Sequence, residues 1–107
     1  MGYLVQMNCK ECGYQTHPIR FGATFSDPRI IGPALNAELK EIIEVDYNNI
    51  PAPSITPYTN KQLQKPGLLT SFTNIYNCWH HQIQGEGNFC PCCNGYSVSV
   101  VLGGLVD

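Results

Sequence analysis

Cys9-Lys10-Glu11-Cys12-Gly13 near one end and Cys90-Pro91-Cys92-Cys93-Asn94-Gly95 near the other are the two stretches that decide how this chain folds. Each contains a C-x2-C pair, the spacing at which one tight turn presents both thiolates to a single ion. The backbone leaving the second cysteine of such a turn tends toward positive φ, where Gly pays no steric cost and Asn is among the few other types tolerated. Gly13 and Asn94 stand at those places, and Pro91 pre-sets the φ of the second turn. The two pairs therefore predict one tetrahedral structural site made of Cys9, Cys12, Cys90 and Cys93. Zn2+ is the expected metal and iron the alternative, because a thiolate tetrahedron accepts either. Cys92 is the expected outsider. Pairing it with Cys90 leaves one residue between ligands, and it does not converge readily with the adjacent Cys93.

The knuckles Cys9-Lys10-Glu11-Cys12-Gly13-Tyr14 and Cys90-Pro91-x-Cys93 resemble those of the zinc-ribbon class, and locally those of rubredoxins. The resemblance implies a zinc-ribbon-like antiparallel sheet with knuckles at 9–13 and 90–95. Asn94 replaces the Gly of the family pattern, and the pairs are much further apart than the roughly 15–20 residues of a compact four-cysteine finger. A long insertion, 18–80, lies between them. Tying residue 9 to residue 93 closes nearly the whole chain, so metal loss is expected to unfold it. Four thiolates on Zn2+ carry a formal excess of negative charge that nearby donors must offset. Lys10 is the first candidate, with His17 and Arg20 behind it.

The chain has 107 residues, 43% of them hydrophobic, enough for one domain with a modest core. Only 13% are charged, and ten Gly with eight Pro point to much turn and loop. The formal net charge of −2 lacks the basic excess that gathers phosphates, which disfavours nucleic acid as a partner. Residues 1–9 do not read as a secretory signal, and no run of apolar residues is long enough for an ordinary transmembrane helix. A cytoplasmic protein with no membrane partner is the expectation, and in a reducing compartment six cysteines favour metal over disulfides.

Tyr3 to Met7 reads as a strand leading into Cys9, with Tyr14-Gln15-Thr16 returning beside it. Ile19 to Phe25 is a further strand candidate, closed by the turn chemistry of Ser26-Asp27-Pro28. Leu35, Leu39, Ile42 and Ile43 fall at i, i+4, i+7 and i+8 among polar residues, which predicts one amphipathic helix over about 33–46 with Pro33 in its first turn. Residues 50–67 form a Pro-rich loop carrying Pro51, Pro53, Pro57 and Pro66. Leu68 to Trp79 has strand composition, and Tyr96-Ser97-Val98-Ser99-Val100 alternates strictly, the clearest strand signal of all. The fold class expected is α+β, mainly β, with one inserted helix in a single domain 1–107.

A secondary cluster is conceivable from Cys78, His80, His81, Cys92 and His17, but adjacent His80 and His81 on a strand point to opposite faces. The plainer reading is one wet and one buried strand residue, and Cys78 with nearby histidines does not by itself make a catalytic arrangement. Gly85-Glu86-Gly87 and Gly103-Gly104 lack the context of a phosphate loop. The function expected is non-enzymatic: a structural-zinc module serving as a protein-binding adaptor or regulator. The alternatives are a nucleic-acid-binding zinc ribbon, resting on aromatic residues able to stack on bases, and a rubredoxin-like Fe(Cys)4 electron carrier.

Overall fold

A computed structural model describes residues 2–65, 75–78 and 81–106, with the backbone alone described at 75–78 and 106. Its strands are β1 (Gly2–Cys9), β2 (Ile19–Gly22), β3 (Ile31–Asn36), β4 (Glu41–Asp46), β5 (Ile55–Pro57), β6 (Ile75–Cys78), β7 (His81–Gln84) and β8 (Val98–Val106). All described pairings are antiparallel. The main sheet runs β4-β3-β2-β1-β8 with β5 added to β3, and β6 and β7 form a separate hairpin.

Alternation along β1 sets the core. Val5, Met7 and Cys9 share one face and are buried, and that face receives Ile19 and Phe21 from β2 and Val98 and Val100 from β8. Tyr58, Leu63, Ile83 and Cys90 are buried in the same core cluster. Burial of side chains of this size contributes roughly 1.5–3 kcal/mol each.

The helix expected over 33–46 does not exist. The segment is a hairpin, β3 paired to β4 from Ile31↔Asp46 to Asn36↔Glu41, and among the described residues the only helical turn is a 3-10 turn at Lys61–Leu63. The fold is therefore mainly antiparallel β rather than α+β. Three local features defeat the helix. The Asn36 side-chain oxygen accepts the N–H groups of Glu38 and Leu39, bending the chain where a helix would continue. Lys40 takes a positive φ of 53°, and Leu39, required on the apolar stripe, is 66% exposed at the turn. Ile42, Ile43 and Val45 are β-branched residues that pack better in a strand.

Pro33 fits this strand because of where partners change. β2 meets β3 only at Ile31, and β5 begins at Ala34. Between them Pro33 needs no donor, while its carbonyl accepts from Tyr58 N at 3.1 Å and the Tyr47 hydroxyl at 2.8 Å. The Tyr47 ring lies directly over Gly32, where any Cβ would collide with it.

Other expectations shift in extent. The return at 14–16 is a single bridge, Asn8↔Gln15. The strand at 19–25 stops at Gly22, and the one at 96–100 starts later and runs on to Val106. The Pro-rich segment 50–67 contains β5 and the 3-10 turn. Of the strand expected at 68–79, only β6 lies within the described residues.

Candidate metal centre

β1 delivers Cys9 to the core face and the chain turns at once. Cys9 N donates to Tyr14 O at 2.7 Å and Gly13 N to Cys9 O at 3.2 Å. At the second knuckle Cys90 N donates to Gly95 O at 2.7 Å and Asn94 N to Cys90 O at 2.9 Å. Gly13 and Asn94 both have positive φ, 80° and 61°. The turns are thus two copies of one backbone design, with the left-handed residue just after the second cysteine in each.

The knuckles are clamped together from outside. Asn88 and Val98 exchange backbone hydrogen bonds of 3.1 and 3.0 Å, joining the two legs of the second knuckle, and Lys10 N donates to Ser97 O at 3.0 Å, joining one knuckle to the other. The Tyr58 hydroxyl donates to Phe89 O at 2.7 Å, and Ile42 N donates to the Tyr14 hydroxyl at 2.9 Å. Tyr58 is fully buried, and that burial raises its phenol well above the ordinary tyrosine range.

Cys9, Cys12, Cys90 and Cys93 converge, their four sulfurs all within 4.8 Å of one another. Cys9 and Cys93 sulfurs lie 3.7 Å apart and those of Cys12 and Cys90 3.6 Å. A tetrahedron with metal–sulfur bonds of about 2.3 Å has edges of about 3.8 Å, so the sulfurs already stand close to ligand spacing. Cys9 and Cys90 are buried while Cys12 and Cys93 are exposed, which puts the centre at the surface with one sulfur of each pair facing inward.

The electrostatics suit a cation. Burial opposes ionisation of Cys9, but the Ser97 hydroxyl at 3.0 Å and the N–H groups of Cys12 and Glu11 together outweigh it and lower the thiol to about 6. Burial pushes Cys90 up to about 12, against the N–H groups of Cys93 and Cys92. One buried sulfur is thus ready to ionise while the other resists, as expected where several thiolates crowd together without positive charge. A bound divalent metal holds its coordinating thiols deprotonated.

The described contacts of the cations named from sequence lie away from the sulfurs. Lys10 reaches Glu86 at 3.4 Å with both side chains largely exposed. Arg20 is engaged with Asp27 and with the carbonyls of Gly22 and Arg29, and His17 is exposed after the first knuckle. Negative charge is favoured at Cys9 by the Ser97 hydroxyl and the N–H groups of Cys12 and Glu11, and at Cys90 by the N–H groups of Cys93 and Cys92. Ser97 lies 3.9 Å from the Cys93 sulfur as well, so it stands beside two ligands. Its only trace in the sequence is its place in the alternating run that leaves the second knuckle.

Among the described residues the four-cysteine group is the only convergence of His, Cys, Asp or Glu of its kind, and of the secondary cluster His80 and the side chain of Cys78 lie outside those residues. Cys92 is exposed and outside that group. Cys78 pairs with His81 in the β6–β7 register, the His81 ring stands 5.2 Å from that of Tyr47, and His80 lies outside the described residues. Beside the second knuckle is a depression of about 230 Å³ lined by Leu35, Ala37, Lys40, Phe89, Pro91 and Asn94.

No family model matches the chain, and neither a curated protein nor a solved structure matches it.

Proposed function

We propose that this chain is a structural zinc module whose metal fastens its two ends together and which acts by binding protein rather than by catalysis. The observation that carries the reading is the spacing of the sulfurs of Cys9, Cys12, Cys90 and Cys93. Four thiolates fill a tetrahedron and leave no open position for water or substrate, the arrangement of structural rather than catalytic zinc. The donor set also accepts iron, which would make an electron carrier instead.

A protein partner is favoured over nucleic acid by the state of the basic residues. The chain has six Lys and Arg. Lys10 is paired with Glu86, and Arg20 and Arg29 with Asp27, which leaves Lys40, Lys61 and Lys65, too few to build a basic patch for a phosphate backbone. Among the described residues lining the depression beside the second knuckle, Lys40 is the one titratable side chain, with no acid–base partner beside it there. The free thiols of Cys9, Cys12, Cys90, Cys92 and Cys93 suit a reducing compartment such as the cytoplasm. Among the described residues no helix is long and apolar enough to cross a membrane.

Metal analysis of the protein purified without added metal tests the reading. It predicts one zinc per chain and a colourless solution. Strong visible absorption with one iron per chain would establish the electron-carrier alternative, and metal-free protein with unchanged stability would remove the structural role altogether.

A further inference from the structure

The main sheet ends in two very different edge strands. β4, at one edge, carries Glu41, Glu44 and Asp46, charges of the kind that discourage a further strand from adding. β8, at the other edge, reads Val98-Ser99-Val100-Val101-Leu102-Gly103-Gly104-Leu105-Val106, with no charge and no proline. Its outer side is met for the first few residues: Val98 exchanges hydrogen bonds with Asn88, and Val100 N donates to Gly85 O at 2.8 Å. From Val101 onward no described residue pairs with that side.

The register fixes which groups are offered there. Met7 and Cys9 direct their backbone bonds away from β8, to Thr16 and Tyr14, so their partners Val100 and Val98 direct theirs outward. Leu102 opposes Val5 and Leu105 opposes Tyr3, residues of the same parity as Met7, so both leucines also offer an N–H and a C=O to the open side. They are three apart in sequence, and in a regular strand one would face inward and the other out. The register shift between Leu4 and Val5, which leaves Gly103 as the extra residue, restores the match. It also places both leucine side chains on the face shared with Val5 and Tyr3. They are 44% and 68% exposed.

We propose that this edge is a self-association surface, occupied by β8 of a second copy of the chain running antiparallel across a two-fold axis, with Leu102 of each copy opposite Leu105 of the other. The pairing uses only the stretch beyond Val100, whose outer side no described residue meets. It satisfies the outward groups of both leucines in each copy and brings four exposed leucines together on one face. A foreign strand would have to bring apolar residues at the same two positions and no charge, whereas a second β8 has both by identity. The inference deepens the protein-binding reading by naming a partner, and the metal centre, at the opposite end of β1 and β8, takes no part in it.

Sedimentation equilibrium of the metal-loaded full chain over micromolar to millimolar concentrations tests this, with metal content measured on the same samples so that the metal reading is judged separately. The expected mass is twice the 11.9 kDa of one chain. Leu105→Lys adds a charge to an exposed side chain, and Leu105→Pro deletes an N–H that β1 does not use. Each is expected to weaken the dimer at least about tenfold, with metal content and far-ultraviolet dichroism unchanged. If Leu105→Pro fails to fold, Leu105→Lys alone decides. A wild-type chain that stays at monomer mass throughout overturns the proposal, and so does a dimer equally tight in every variant that folds. A monomer that binds an extended uncharged peptide along β8 also overturns it, in favour of a foreign strand.

Discussion

Cys9 and Cys90 occupy the same place in two copies of one turn: each donates its N–H to the carbonyl five residues on, and each accepts at its own carbonyl from the residue four on. Each sulfur also receives the N–H groups two and three residues ahead, Glu11 and Cys12 at the first knuckle, Cys92 and Cys93 at the second. Two things separate them: the Ser97 hydroxyl, which contacts Cys9 and not Cys90, and burial, which pushes Cys90 up. The knuckles are therefore equal in backbone and unequal in charge.

The equal backbone predicts unequal side-chain tolerance at its left-handed positions. A Cβ on Gly13 would meet nothing within 4 Å, so its positive φ of 80° is the sole obstacle to substitution. Gly13→Ala is expected to cost about 1–2 kcal/mol from backbone strain alone. Asn94→Gly should be neutral or slightly stabilising, since Asn already pays part of that cost. Denaturant unfolding of the metal-loaded protein measures both, and a Gly13→Ala variant as stable as wild type would contradict the shared geometry.

The unequal charge makes Ser97 the group to remove. Without its hydroxyl the Cys9 thiol moves up from about 6 toward the ordinary thiol range, and metal affinity at neutral pH is expected to fall about tenfold in Ser97→Ala. The sign of the pH dependence follows from the direction of the shift. A lowered thiol gives up its proton to the metal more readily, so wild type holds its full advantage up to about 6 and loses it as pH rises toward the ordinary thiol value near 8.5. Above that range both proteins are ionised and the gap should close. Competition with a chromophoric chelator from pH 6 to 9 reads this directly, and a gap that widens with rising pH would exclude the mechanism.

Much of the metal centre was legible because its signal is local. Two residues between cysteines, Gly13 after one pair and Asn94 after the other, specify turns that depend on little else. Residues 33–46 were misread because an apolar spacing of i, i+4, i+7 and i+8 arises equally from two short strands joined by a turn. Only Asn36 capturing the Glu38 and Leu39 amides, and Lys40 going left-handed, separate the two. Ser97 and Tyr58 were invisible for a different reason. Their roles are set by partners 88 and 31 residues away along the chain, beyond any periodicity. Proximity in sequence to Cys9 likewise says nothing of Glu86, whose carboxylate lies 3.4 Å from the Lys10 amine.

Asp27 anchors the connection from β2 to β3. Its carboxylate accepts from Arg29 Nη2 at 2.7 Å and Nε at 2.9 Å and from Arg20 Nη1 at 3.1 Å, and the Arg29 guanidinium above all holds the carboxyl well below the usual carboxylate range. A depressed carboxyl gives stability above its unfolded value, near 4, that is lost only as pH falls through the folded one. Asp27→Asn should therefore lower the melting temperature by the same amount from pH 8 down to pH 5, with the difference narrowing only in stronger acid. A difference that shrank between pH 7 and 5 would point to another group.

The cysteines divide sharply in what their loss should do. Cys12 is exposed, so Cys12→Ser removes almost no packing, yet it takes one corner from a site that ties residues 9 and 12 to 90 and 93. A cross-link closing a loop of that length is worth about 4 kcal/mol in lost unfolded-state freedom, and this is the scale of destabilisation expected for Cys12→Ser or for chelation of wild type. Cys92 is equally exposed and one position from a ligand, but it stands outside the cluster, so Cys92→Ser should keep full metal content and stability within about 0.5 kcal/mol. Native mass spectrometry and thermal unfolding of the two serine variants side by side make the comparison. Equal losses in both would mean that exposure to oxidation, rather than coordination, governs this knuckle.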